Sequence, residues 1–151
     1  MCRELGFLMK IFEVLNCLVS VSFCQGDLAQ AYALAEESLR TDETGFYKAN
    51  TLYLLGKIVL QQGDTARARA FAEESLACLK EPHHPEDMCW SLALLGKVAF
   101  AEGNHAAAQA FSKESLAIAR ELSYQPDIAS ALEGLASAVA SQGEPAWAAR
   151  L

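Results

Sequence analysis

Apolar residues recur along this chain at helical rather than strand spacing. Between Glu86 and Glu102 the apolar stripe is Leu92, Leu95, Ala99 and Phe100. Between His105 and Leu122 it is Ala108, Phe111, Ser115 and Leu116, with Lys113, Glu114 and Arg120 on the opposite face. Gly103 and Asn104 stand between the two stripes. Glycine favours the left-handed position that closes a helix, and asparagine is a good N-cap, so the pair predicts a stop followed at once by a start. The pattern therefore predicts two helices joined by a tight turn.

The same phrase is written more than once. Leu55-Gly56-Lys57 leading to Gly63-Asp64 recurs 40 residues on as Leu95-Gly96-Lys97 leading to Gly103-Asn104. Each is followed by Glu-Ser-Leu, at Glu74-Ser75-Leu76 and Glu114-Ser115-Leu116, with a sibling at Glu37-Ser38-Leu39. Gln25-Gly26-Asp27 lies 37 residues before Gly63, Gln142-Gly143-Glu144 lies 40 after Gly103, and Arg3 to Phe7 matches Arg120 to Tyr124. A period of this size marks a stacked repeat, in which each hairpin buries its apolar stripe against the next.

That register reads residues 1–151 as a single domain. It comprises a partial unit to about residue 7, units over 8–44, 45–84 and 85–124, and a partial unit over 125–151, where Pro145 takes the first turn of a helix. The connectors are polar: Thr41 to Gly45, Glu81 to Pro85, and Ser123 to Pro126. A glycine inside a helix costs about 0.5–1 kcal/mol relative to alanine. Its recurrence at Gly56 and Gly96 marks close backbone approach, and Ala136 keeps the site small in the last copy.

Composition agrees with a helical protein: 52% of residues are hydrophobic and only four are proline. A net charge of -7 argues against a nucleic-acid groove, and Arg67-Ala68-Arg69, the densest basic cluster, reads as solvated helix surface. The five cysteines follow no framework spacing, which predicts buried, reduced thiols and a cytoplasmic location. The stretch from Phe7 to Cys24 is apolar, but Glu13 and Asn16 interrupt it and Phe23 is too large to precede a cleavage site, so no signal peptide is expected.

Little in the chain points to chemistry. Glu81 to Cys89 holds every common zinc-ligand type, yet zinc sites draw ligands from two separated places and no second cluster exists. Ser38, Ser75 and Ser115 occupy one repeated position and read as small packing residues. Leu55-Gly56-Lys57 lacks the upstream glycine and the following hydroxyl residue of a phosphate-binding loop. The chain is expected to be non-catalytic, with no cofactor and no metal.

The Leu-Gly pair followed seven residues later by Gly-Asp, then Ala, resembles the tetratricopeptide repeat, over nearly the whole chain. Leucines at Leu52, Leu92 and Leu132 stand where that family usually has an aromatic residue, and its closing proline is absent. The long period, the Glu-Ser-Leu phrase and Ala131 to Ala136 resemble the repeat region of large bacterial signal-transduction ATPases and LuxR-type transcriptional activators. The resemblance implies an all-α, right-handed superhelical solenoid of antiparallel helix pairs, whose first helices line a concave groove.

Carried over by register, the groove positions are Glu13, Asn16, Ser20 and Phe23, then Asn50, Tyr53, Lys57 and Leu60. They continue as Trp90, Ala93, Lys97 and Phe100, and as Ser130, Glu133, Ser137 and Ala140. Lysines beside aromatic surface suit a protein or peptide segment with acidic and apolar side chains. Neither nucleic acid nor membrane is expected as a partner. Two alternatives stay open. An aromatic pocket at Tyr53, Trp90 and Phe100 would suit a small-molecule inducer, and uncapped ends at Ile11-Phe12 or Ala146-Trp147 would let two copies associate.

Overall fold

Three glycines hold backbone angles that other residues rarely adopt. In the computed structural model, which describes residues 2–42, 47–79, 84–122 and 125–141, Gly26, Gly63 and Gly103 have φ of 81°, 87° and 78°. At each, the residue after glycine donates its N–H five residues back: Asp27 to Ser22, Asp64 to Val59 and Asn104 to Ala99, at 3.0, 2.9 and 2.8 Å. The glycine N–H bonds three residues back, completing a Schellman closure. The same Asp or Asn then caps the next helix, its Oδ1 accepting from the N–H of Gln30, Arg67 or Ala107. One residue thus ends one helix and begins another.

These turns join α1 (Cys2–Cys24) to α2 (Leu28–Thr41), α3 (Lys48–Gln61) to α4 (Thr65–Cys78), and α5 (Pro85–Ala101) to α6 (His105–Leu122); α7 (Gln125–Ser141) follows. The described residues form an all-α structure of sequential antiparallel helix pairs, as the repeat register predicts. Among them no helix is long and apolar enough to cross a membrane. Contacts group the chain into two compact units, Met1–Phe71 and Ala72–Leu151.

In the first unit, Val19, Ala31, Ala35, Leu55 and Ile58 form the core, with Phe23, Tyr32, Leu54 and Phe71 packed around it. Alanine at 31 and 35 lets α2 lie close to both α1 and α3. Phe12 stacks on Tyr47 with ring centres 5.0 Å apart. In the second unit, Leu116 of α6 packs on Ala131, Leu135 and Val139 of α7, while Ala108 meets Ala99 and Ala138.

Ser38, Ser75 and Ser115 are fully buried. Ser38 lies 3.4 Å from the Thr51 hydroxyl and Ser75 lies 2.8 Å from the Ser91 hydroxyl. The register partner of Ser115 is Ala131, which has no hydroxyl, and Ser115 instead donates to the Cys89 carbonyl at 3.0 Å. Packing residues they are, but polar ones that find partners.

Four expectations change. α1 runs unbroken through Gly6 and Phe7, where the register placed a unit boundary; Phe7 supplies no capping oxygen, so nothing stops the helix there. Pro85 is the first residue of α5, and Gln125 and Pro126 open α7 rather than lying in connectors. Proline is accepted in a first helical turn because its missing N–H would be unpaired anyway. Cys17, Cys24 and Cys78 are exposed, and among the described thiols only Cys89 is buried. Cys17 and Cys24 share the outward side of α1 with Val14, Leu18 and Val21. The Glu81 to His83 stretch, Gly143, Pro145 and Trp147 lie outside the described residues.

Candidate binding surface

The groove positions fall at three- and four-residue spacing on α1, α3, α5 and α7, which puts each set on one face of its helix. Ser130 has no described side chain; every other one is exposed or half-buried. The buried positions of the same helices, such as Leu52, Leu55, Leu92 and Leu95, lie between them.

In the first unit Lys57 sits in an aromatic cleft. Its Nζ lies 4.8 Å from the centre of the Phe23 ring and 5.5 Å from that of Tyr53, within cation–π range. Asn16 donates to Asn50 at 3.1 Å, tying α1 to α3, while the Oδ1 of Asn16 is buried without a hydrogen-bond donor. A cavity of about 50 Å³ remains between Val19, Ser20, Phe23, Cys24, Leu54, Lys57 and Ile58. Leu60 is half-buried and does not line it.

The second unit opens a larger cavity, about 220 Å³, between Gly96, Lys97 and Phe100 of α5 and Glu133, Gly134 and Ser137 of α7. Phe100 is 40% exposed there, and its ring meets His105 edge-on at 5.5 Å. The Ser137 hydroxyl donates to the Glu133 carbonyl at 2.9 Å. Trp90 is half-buried on α5 and does not line this cavity. Phe100 lines this cavity without Trp90, and Tyr53 lies in the other unit.

The two cavities are one site written twice. By register Val19, Ser20 and Phe23 become Gly96, Lys97 and Phe100, while Leu54 and Lys57 become Gly134 and Ser137; Glu133 lines the second cavity, though its counterpart Tyr53 does not line the first. The difference in volume follows from the exchange: a valine and a leucine give way to glycines, and serine replaces the lysine that lies on the aromatic rings. The glycines have a packing cause. A Cβ on Gly96 or Gly134 would meet the buried Ser112 Oγ at 3.1 or 3.0 Å, so the absence of a side chain at both lets α6 carry its serine there without displacement. Gly96 is the close approach that the repeated phrase predicts. Gly134 and Ser112 escape sequence reading, although the leucines at the equivalent positions, Leu54 and Leu94, make Gly134 the odd residue of its column.

The phenol of Tyr47 is a perturbed acid of the first unit. Burial raises its pKa above the ordinary 10.0, and the nearby Glu13 and Asp42 carboxylates add to the effect. Among the described residues no three His, Cys, Asp or Glu side chains are gathered to hold a metal, and His83 lies outside them.

The tetratricopeptide-repeat family model matches residues 10–81, and no curated protein matches the chain. The matched segment holds the first two of the three glycine turns and the Lys57 cleft. Residues 10–81 are thus similar to the tetratricopeptide repeat, a helical module that generally serves protein–protein interaction.

Proposed function

We propose that the chain is a non-catalytic interaction module that binds a peptide or partner domain along its first-helix face. The cavity over Gly96 and Gly134 would take one side chain of the partner. The observation that carries this reading is the recurrence of one notch at equivalent positions of the two units, each beside a phenylalanine and a lysine. Lys97 offers a charge to an acidic residue, Phe100 an apolar wall and Glu133 an opposite charge for a flanking base. Asn50, Tyr53, Lys57, Leu60, Trp90 and Ser137 belong to the same surface in this reading, which treats residues 1–151 as one run of repeats.

A volume near 220 Å³ suits a single side chain better than a drug-sized ligand, which usually fills about 300 Å³ or more. The second reading, a small-molecule inducer, is supported by the opposite charges of Lys97 and Glu133 around one floor. A role within a larger signalling or transcriptional regulator rests on the long period and on the Glu-Ser-Leu and Ala131 to Ala136 phrases. A cytoplasmic setting fits the exposed thiols of Cys17, Cys24 and Cys78, which stay reduced there.

The test is to pan a random dodecapeptide display library on the full chain and measure the recovered peptides by fluorescence anisotropy. Acidic peptides with an aromatic or leucine anchor are expected, losing about tenfold in affinity against Lys97→Glu or Phe100→Ala. Equal binding to the parent and both variants would sink the reading. Recovery of no peptide, together with thermal stabilisation by an amphoteric small molecule that depends on Lys97 and Glu133, would favour the inducer.

A further inference from the structure

Val14, Leu18 and Val21 of α1 are 57%, 45% and 51% exposed. With Phe7 and Ile11 they make a stripe at alternating four- and three-residue spacing, the spacing of a helix-packing seam. The repeat register aligns Val14, Leu18 and Val21 with Thr51, Leu55 and Ile58 of α3. It aligns them equally with Ser91, Leu95 and Val98 of α5 and with Ala131, Leu135 and Ala138 of α7. All of these counterparts are 4% exposed or less. The same face of the same element is buried in three helices and open in one.

What covers the face elsewhere is one kind of helix. Ala31 and Ala35 of α2 pack on Leu55 and Ile58, and Ser38 reaches Thr51. Ser75 of α4 reaches Ser91, and Leu116 and Ala108 of α6 pack on α7. Each covering helix carries small residues at i, i+4 and i+7: Ala31, Ala35, Ser38; Ala68, Ala72, Ser75; Ala108, Ser112, Ser115. Their charges, such as Glu36, Glu37 and Arg40, stay exposed on the far side, so docking such a helix buries no charge.

We propose that the α1 stripe is a seat for a partner helix of the α2 kind, with small residues at i, i+4 and i+7. Alanine rather than serine is favoured at the third of these positions. That position faces Val14, which has replaced the hydroxyl found at Thr51 and Ser91, and a serine there loses its partner on the seat. The seat lies on the outer side of α1 and does not depend on the groove reading.

The probe is a fluorescein-labelled peptide with the sequence of Asp27 to Thr41 carrying Ser38→Ala, followed by anisotropy against the full chain. Saturable binding is expected, lost in Leu18→Asp, whose helicity by circular dichroism should match the parent because Leu18 is half exposed. Val14→Thr, which recreates the α3 seat, is expected to shift preference about tenfold toward the unsubstituted Ser38 peptide. The proposal fails if neither peptide saturates, if Leu18→Asp binds as well as the parent, or if Val14→Thr leaves the preference unchanged. It fails equally if sedimentation finds a dimer that Leu18→Asp dissociates, because the occupant is then a second copy of the chain.

Discussion

The hydroxyls of Ser75 and Ser91 lie 2.8 Å apart with no exposure to solvent, joining the last turn of α4 to the middle of α5. Ser75→Ala or Ser91→Ala alone leaves a buried hydroxyl with one partner fewer, at a cost of about 1–2 kcal/mol. The double alanine variant strands neither group. Denaturant melts of the four proteins should therefore give a double loss smaller than the sum of the singles by about 1 kcal/mol. Strict additivity would mean that the two hydroxyls do not act as a pair.

Much of this fold is legible in the sequence because its decisive signals are local. Gly63-Asp64 and Gly103-Asn104 carry helix end, turn and cap in adjacent residues, and the structure builds them as expected. The spacing of Leu52, Leu55, Leu92 and Leu95 likewise marks the buried face without reference to any distant residue. The larger cavity was not legible in the same way. It depends on Ser112 meeting glycines on two other helices, and one of those, Gly134, lies outside the repeated phrase. The exposure of Cys17 and Cys24 on α1 escapes the sequence for a related cause. Whether an apolar helix face is buried is decided by its neighbour, and no residue on the face encodes that neighbour.

Gly134→Ala tests the contact with Ser112 directly. Alanine is the better helix former by about 0.5–1 kcal/mol, but its Cβ would stand 3.0 Å from Ser112 Oγ. A net loss of about 1 kcal/mol is expected. In a Ser112→Ala background the nearest remaining atom is the Cβ at 3.9 Å, and the same substitution should become neutral or stabilising. Thermal melts that show the same sign in both backgrounds would refute the contact as the cause.

Asp64→Ala removes the carboxylate oxygen that accepts from Arg67 N at 3.0 Å. The expected cost is about 1 kcal/mol, most of it regained by Asp64→Asn, which keeps an oxygen at the cap. Chemical denaturation of the three proteins distinguishes a lost cap from a lost charge, since only the latter would leave Asn as poor as Ala.

Alkaline stability should report on Tyr47. Its pKa is raised in the folded state, chiefly by burial and then by Glu13 and Asp42, so the folded protein holds the phenolic proton more tightly than the unfolded chain. The resulting stabilisation is fully present below the ordinary value of 10.0 and is lost as pH rises through the raised one. Tyr47→Phe should flatten that part of the stability profile, and Glu13→Gln should bring the phenol back toward its usual range in an ultraviolet difference titration. An unchanged titration in Glu13→Gln would rule out the carboxylate's part.

The turns at Gly26, Gly63 and Gly103 also bear on how the chain reaches its native state. Every backbone hydrogen bond that closes them spans five residues or fewer. Little chain entropy is therefore surrendered before the first favourable contacts form, and each hairpin can begin to fold without waiting for distant segments. A chain built this way has several equivalent starting points for folding. Slowing one of them, for instance by giving Gly103 a side chain, leaves the other two as alternative nuclei.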